Sequence, residues 1–598
     1  MRSPELPRSA VIGGLLFGCS LIALPVLGQT LPVVAADVVV TATATPVPAG
    51  TTGRTVLTFS RADLEQLGLG SIIDGLRLLP GVDVKARGSH QVQTDFSLRG
   101  ATFGQTLVLL DGVRLNDAQS GHHNGEMPTS LVGVDRIEVV MGPGSAVHGA
   151  DALGGTIQII SRRDRHATGE LTVGDHRTAG VQASLSGQWL PAQWTLTGWG
   201  SRSDGFMFDR DWSLGGAGLR APLSSRLTLD VRHHRRVFGA NGFYGNSPSK
   251  EWTDGTVVSA QSSLLTNDDW HIQARAAYRN HGDRFRWDIN RPGFAENTHR
   301  THAADIDATA ARSVGRTTRV TLGAGGGGDW IDSSNLGAHT LSRAYGFAEV
   351  LTTPTASLSV QSALRVDRYS TFGTAWSPSL SASLQLSPTV RLRASGARAF
   401  RVSTYTERYY SDPAHLARPD LLPERGWSVD GGLDLTAGRW MFSASPFVRW
   451  DQDVIDWTRQ STADRWMTTN VRDVTTRGIE GAVTGRWSRA LLRAHLSWLD
   501  VDAPALTVLS KYVLDYAPRS GGVSVAVPVG LGWTLSANIE GRDRFDGQQY
   551  ALVGARISRA VGRLQVFAEG SNLLDERYRE IAGVPMPGRW LSAGISVR

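Results

Sequence analysis

The sequence predicts an all-β barrel that spans a membrane, preceded by a smaller α+β domain, and three observations carry that expectation. After about residue 165 the chain alternates with a period of two, as in "VQASLSGQW", where Val181, Ala183, Leu185 and Trp189 interleave with Gln182, Ser184, Ser186 and Gln188. That is a strand with one apolar and one polar face. No apolar run after residue 28 is long enough for a transmembrane helix, and a closed barrel is the other structure that satisfies every backbone group inside a bilayer. Finally, 67 glycines and 18 tryptophans in 598 residues mark heavy use of turns and aromatic anchors. A soluble β-sandwich or propeller would alternate in the same way, but no blade repeat is present and the segments run on too far.

In chain order, Arg2 and Arg8 precede an apolar stretch from Val11 to Gly28 and a small-residue exit. This is a secretory signal peptide over residues 1–28, with cleavage after Gly28 or as late as Ala36. The single cysteine, Cys19, lies within it, which excludes an internal disulfide and any multi-cysteine metal site. A formal charge of +6 is small for the length, and the signs alternate along the chain. No nucleic-acid partner is expected.

Residues 51–163 read as a compact α+β domain. "SRADLEQLG" from Ser60, with Ser60 and Asp63 as start signals, and "SIIDGLRLLPGV" from Ser71, ended by Pro80-Gly81, are helical. Strands fall at Thr106 to Leu110 and Arg136 to Val140, where Arg136 and Glu138 share one face and Ile137 and Val139 the other. The run "EVVMGPGSAVHGADALGGTIQIIS", Glu138 to Ser161, has the glycines of a nucleotide-binding loop, but Val147 stands where the third fingerprint glycine belongs. No Gly-Lys-Ser/Thr follows, and Thr156 to Ile160 reads as a strand rather than a helix.

Residues 164–598 carry the barrel. Leu227, Leu229 and Val231 repeat the alternation, as do Leu358, Val360, Leu364 and Val366. Leu380 to Leu386 and Val390 to Ala394 flank the short turn Ser387-Pro388-Thr389, whereas Asn241 to Gly255 and Arg291 to Thr301 read as long polar links. Short turns on one rim and long loops on the other are the outer-membrane arrangement.

The ordered pieces "LLPGVDV", "FSLRGATFGQTLVLLDGVRLND", "VDRIEVVMGPGSAVHGADALGGTIQII", "FRVSTYTERYYSDP", "RPDLLPE", "NVRDVTTRGIEG" and "EGSNLLDERY" resemble the TonB-dependent outer-membrane receptors from end to end. The resemblance implies that the α+β domain is a plug inside the barrel lumen, and that its glycines make tight turns and close backbone approaches. It also implies that Arg99, Arg136 and Glu138 contact the barrel wall. At roughly 20 residues per strand the barrel region accommodates about 22 antiparallel strands, the size that holds a plugged lumen. Within residues 29–50, Asp37, Val38, Val39, Val40, Thr41, Ala42 and Thr43 form a β-branched segment followed by Pro46, Pro48 and Gly50. The resemblance makes this the TonB box, a strand for the TonB protein to pair with. Little chain separates it from the signal peptide, so no signalling domain is expected. The implied setting is a monomer in outer-membrane lipid of a Gram-negative bacterium, energised by TonB with ExbB and ExbD and needing no cofactor. No Ser-His-Asp or paired-carboxylate cluster marks an enzyme, and an adhesin would need neither plug nor box.

Two plug loops are expected to face a large scarce solute: one with Arg87, His90, Gln91 and Gln93, the other with Asn116, Gln119, His122, His123 and Asn124. Together with Tyr244 they suit a corrinoid's amide rim, and the barrel segments "FGANGFYGNSPSKEWT" and "RFRWDINRPGFAENTHRTHA" resemble those of the vitamin B12 receptors. A ferric siderophore would instead use Arg87, Arg235, Arg236, Trp252 and Tyr244, and haem would use His415 between "FRVS" and "RPDL". Asp204, Asp209 and Asp211 have oxygen-ligand spacing for calcium, without the Gly-centred loop and closing Glu of a calcium hand. The chain ends "WLSAGISVR", lacking the terminal aromatic residue usual in the family.

Overall fold

The computed structural model describes residues 39–40, 43–89, 92–189, 192–245, 247–267, 269–503 and 508–597. A closed antiparallel barrel of 22 strands runs from Ala167–Gly174 to Trp590–Val597, and these two strands pair with each other to shut the wall. Every strand but the edge-closing pair joins its sequence neighbour, so the sheet has no free edge.

The period-two pattern sets the wall's two faces. Val181, Leu185, Leu364 and Val366 are exposed on the outside, and Ile306 is 66 % exposed there, a burial state that suits lipid. Tryptophans occupy both interfaces. Trp270, Trp440 and Trp533 each open a strand just after a short turn, while Trp330, Trp376, Trp427, Trp450 and Trp498 lie toward the rim of long loops. The turns 388–389, 438–439 and 562–563 connect strands on the first rim; connections such as 402–423, 453–473 and 572–589 crown the second.

Two of the expected polar links are shorter than the sequence indicates. Lys250–Thr266 and Glu296–Val314 are strands from their first residue, so the chain is already paired at Glu251 and Asn297. Above the bilayer both faces of a strand meet water, so the hydropathy alternation fades while backbone pairing continues.

Inside the lumen, the plug is a five-stranded sheet ordered Val56–Ser60, Val134–Met141, Gly155–Ser161, Thr106–Leu110 and Val113–Arg114. Its helices, Arg61–Leu67 and Ile72–Arg77, start where the capping signals stand. Ser60 Oγ accepts from the Asp63 N–H at 3.2 Å and Asp63 returns the bond, while Ser71 Oγ accepts from the Asp74 N–H at 3.1 Å. Phe59, Leu64, Ile72, Leu76, Ile137 and Ile157 fill the core, and Val257, Leu491 and Ala526 of the wall join the same cluster. Each such buried aliphatic side chain contributes about 1.5–3 kcal/mol, so plug and wall share one core. The glycines of residues 138–161 are close approaches: Gly155 has φ 148°, and a Cβ there would lie 2.3 Å from the Val140 carbonyl oxygen.

Charged pairs complete the seating. Arg99 reaches Asp430 and Glu480, Asp63 receives Arg486 and Arg493, Asp83 receives Arg542 and Arg544, and Arg77 meets Glu580 at 2.6 Å. Arg136 and Glu138 instead pair with each other within the plug, Nε to Oε1 at 2.7 Å, and Arg136 also meets Asp135. Neighbours two apart on one strand face lie close enough to pair with each other.

Candidate ligand site at the barrel mouth

The floor of the long-loop mouth is made by plug segments. Thr102 caps a single 3-10 turn over Phe103–Gln105, and Ser120 caps another over Gly121–His123. These turns bring the rings of Phe103 and His122 into a stack with centroids 4.4 Å apart. Two loops add to it: Tyr512 meets Phe103 edge-on at 4.9 Å, and Tyr244, 38 % exposed, lies 6.3 Å from His122. The result is a four-ring platform drawn from the plug and two separate barrel loops. Phe103 and Tyr512 had no distinguishing signal beyond being aromatic residues in loop segments.

Polar groups beneath the rings are largely engaged. Arg87 donates to Asp95 at 2.9 Å with its guanidinium 5.6 Å from the Tyr244 ring centroid. Burial alone would raise the Asp95 carboxyl, but Arg87 and His122 hold it well below the usual carboxylate range. His122 Nδ1 lies 3.0 Å from Asp95; burial, assisted by Arg87 and opposed by Asp95, pushes the imidazole down to about 4, so it is neutral at physiological pH. Gln93 donates to the Tyr244 hydroxyl at 2.6 Å, and Gln119 to Asp283 at 2.7 Å.

Other expected ligand residues serve the plug itself. The Asn116 side chain accepts from the Val108 N–H at 2.8 Å and donates to the Thr106 carbonyl at 3.0 Å, and Asn124 accepts from the Asp117 N–H at 3.0 Å. Asparagine's short amide mimics backbone in turns, which is what these two do. His90 and Gln91 lie outside the described residues. Arg235 and Trp252 fall on the outward phase of their strands, and Trp252 stacks under Arg284 at 4.7 Å. Arg236, on the inward phase, is buried 3.9 Å from Glu126.

Both ring nitrogens of His415 are engaged. Its Nδ1 lies 3.0 Å from Asp412, its Nε2 accepts from Lys511 at 3.4 Å, and Trp457 packs edge-on at 5.2 Å. Burial, with the charge of Arg87, pushes Lys511 down to about 8. His415 and Trp457 belong to a four-stranded sheet above the barrel, built from His415–Leu416, Trp466–Val471, Val454–Arg459 and Leu509–Ser510. Two of the three aspartates proposed for calcium are ion-paired. Asp204 meets Arg177 and Asp211 meets Lys250, each at 3.0 Å, while partial burial and the nearby Asp211 push Asp209 up to about 6.

Below the platform, His123 and Glu126 of the plug meet His234, His281, Glu251 and Asp283 of the wall, all buried. Of these only His123 stood out in the sequence. The wall members are legible afterwards by strand phase: Arg279, His281 and Asp283 share one face of Trp270–Arg286.

At the opposite rim, Val39 and Val40 pair antiparallel with Pro48 and Val47. The Ala44 N–H donates to Glu349 at 3.2 Å, and Arg319 reaches Thr45 at 3.5 Å. Thr43 is buried, and Asp37, Val38, Thr41 and Ala42 lie outside the described residues. Between the two rims a cavity of about 390 Å³ separates the plug helices from the wall, lined by Gly68, Asp74 and Arg77 on one side and Glu170, Asn538 and Arg556 on the other.

A 22-strand barrel sealed by a plug, with a tethered segment at the short-turn rim and a ring-lined mouth at the other, defines an energised outer-membrane receptor rather than an open pore. Residues 193–573 match the family described as "TonB dependent receptor-like, beta-barrel", and residues 48–156 match the "TonB-dependent Receptor Plug Domain". The chain belongs to the TonB-dependent receptor family of Gram-negative outer membranes. It is similar to the vitamin B12 transporter BtuB of Vibrio vulnificus, 25% identical over 466 residues that cover 70% of this chain and 71% of the relative. In fold it is similar to the siderophore receptor PirA from Acinetobacter baumannii, with a TM-score of 0.74, 15% identity, and 91% and 98% of the two chains covered. A variant of the ferric enterobactin receptor from Pseudomonas aeruginosa, in complex with enterobactin, gives a TM-score of 0.73 at 17% identity, covering 92% and 100%.

Proposed function

We propose that this receptor imports a cobalamin or related corrinoid, acting as a monomer energised by TonB with ExbB and ExbD. The observation that carries the reading is the mouth floor: four rings, from Phe103, His122, Tyr244 and Tyr512, over an arginine already paired with Asp95. A large ligand with a neutral amide rim suits such a floor, because rings supply contact area and little net charge has to be matched. An anionic iron chelate would call for free guanidinium groups; Arg87 is neutralised by Asp95 and Arg235 faces outward. The similarity to a vitamin B12 transporter over most of the chain supports the same reading. The ferric siderophore remains the second reading, favoured by Lys511 at the mouth, 5.4 Å from the Tyr512 ring.

Calorimetry of the purified receptor with cyanocobalamin, ferric enterobactin and haemin separates the readings. Cyanocobalamin alone should bind at micromolar concentration or below. Binding of a ferric chelate without cyanocobalamin would replace the corrinoid with an iron carrier and leave TonB-dependent transport intact.

A further inference from the structure

The buried cluster beneath the platform is built around one carboxylate. Glu126 Oε1 lies 3.1 Å from His123 Nδ1, and Oε2 lies 3.2 Å from His234 Nε2 and 3.3 Å from His281 Nε2. The His281 to Glu126 spacing is close to the edge of a tetrahedron whose corners lie about 2.0 Å from its centre, the distance at which nitrogen and oxygen ligands hold zinc. His123, Glu126 and His281 offer three ligand atoms that all lie within 4.8 Å of one another.

What stands behind the rings points the same way. His281 Nδ1 lies 3.2 Å from Asp117 without a hydrogen bond in the present ring orientation, and His123 Nε2 lies 3.6 Å from Asp283. A carboxylate within reach of these two rings can orient a metal-ligating imidazole and raise its basicity. Asp283 Oδ1 and His234 Nδ1 are buried polar atoms without a hydrogen-bond partner, which marks the cluster as incompletely satisfied by its own groups.

We infer that His123, Glu126 and His281 bind a divalent transition metal of the zinc type, clipping the plug apex to the barrel wall. Imidazole and carboxylate ligands of this mix suit zinc or its first-row neighbours rather than calcium, which takes oxygen alone. Two ligands come from the plug and one, His281, from the wall, so the bound ion ties the mouth floor to the barrel at the place where the ligand platform rests. The inference is independent of which solute the mouth captures.

The full-length receptor, purified in detergent and stripped with a chelator, should take up one equivalent of zinc(II) per chain in calorimetry. Cobalt(II) in its place should give the visible absorption of a tetrahedral site. His281→Ala and Glu126→Gln should each weaken zinc binding at least tenfold. Asp117→Asn, which leaves every ligand in place, should weaken it by about ten- to hundredfold, and His415→Ala should leave it unchanged. If His281→Ala fails to fold, Glu126→Gln and Asp117→Asn carry the test. No stoichiometric zinc in the wild-type receptor, or zinc binding unaltered by His123→Ala and His281→Ala together, overturns the site.

Discussion

Arg99 of the plug and Glu480 of the barrel wall, 381 residues apart in the chain, share two hydrogen bonds, Nε to Oε1 at 2.9 Å and Nη2 to Oε2 at 2.8 Å. The guanidinium also reaches Asp430 and lies 4.3 Å from the Phe447 ring centroid, so one plug side chain touches three wall strands. Arg99→Ala should leave two buried carboxylates uncompensated and destabilise the seated plug by about 3–5 kcal/mol. Urea titration with protease accessibility of the plug as readout checks this. An unchanged midpoint would mean the wall, not the pair, sets plug stability.

Asp63 and Asp83 give the seating a pH dependence of definite sign. Burial tends to raise both carboxyls, but Arg486 and Arg493 hold Asp63 low, and Arg544 and Arg542 hold Asp83 low. Groups depressed in the folded state stabilise it above their unfolded value, near 4, and lose that contribution as pH falls through the folded values. Plug protection should therefore be level from pH 7 to about 5 and decline below about 4. Hydrogen exchange, with samples incubated at each pH and pulsed at one common pH, reads it. A decline already complete at pH 5 would contradict the assignment.

The tethered segment gives a coupling prediction. Val39→Pro removes a backbone donor from the strand expected to pair with TonB; cobalamin uptake by cells should be lost while calorimetric binding of cyanocobalamin survives. Glu349→Gln weakens the hold on the Ala44 N–H and should raise the affinity of the periplasmic TonB domain for the receptor. Normal uptake in the proline variant would remove the segment from the mechanism.

The platform can be tested one ring at a time. Tyr512→Ala deletes the edge-on partner of Phe103 and should weaken cyanocobalamin binding by about 1 kcal/mol or more, whereas Arg235→Ala, on the outer face, should leave it unchanged. Asn116→Leu should lower plug stability rather than affinity, because its amide bonds Val108 and Thr106. A cobalamin affinity that follows Arg235 and ignores Tyr512 would favour an anionic ligand.

Local chemistry determined much of this protein. Strands, helix starts and turns are short-range events, and they are legible in the alternation of Val181 and Leu185, the caps Ser60 and Ser71, and the glycines around Gly155. Order along the chain then placed an α+β domain before a barrel, and the family resemblance made that domain a plug. Which polar side chains meet was decided only by the closed structure. Strand register and the depth of the plug bring His123 and Glu126 beside His281, and Phe103 beside Tyr512, across distances in sequence that carry no periodic signal. The same closure turned Arg235 and Trp252 outward, locked His415 between Asp412 and Lys511, and folded Arg136 onto Glu138. A strand's pattern states that its two faces differ, but where polar residues occupy both faces it does not say which one looks into the lumen. That choice is made by the hydrogen-bonded neighbours on either side.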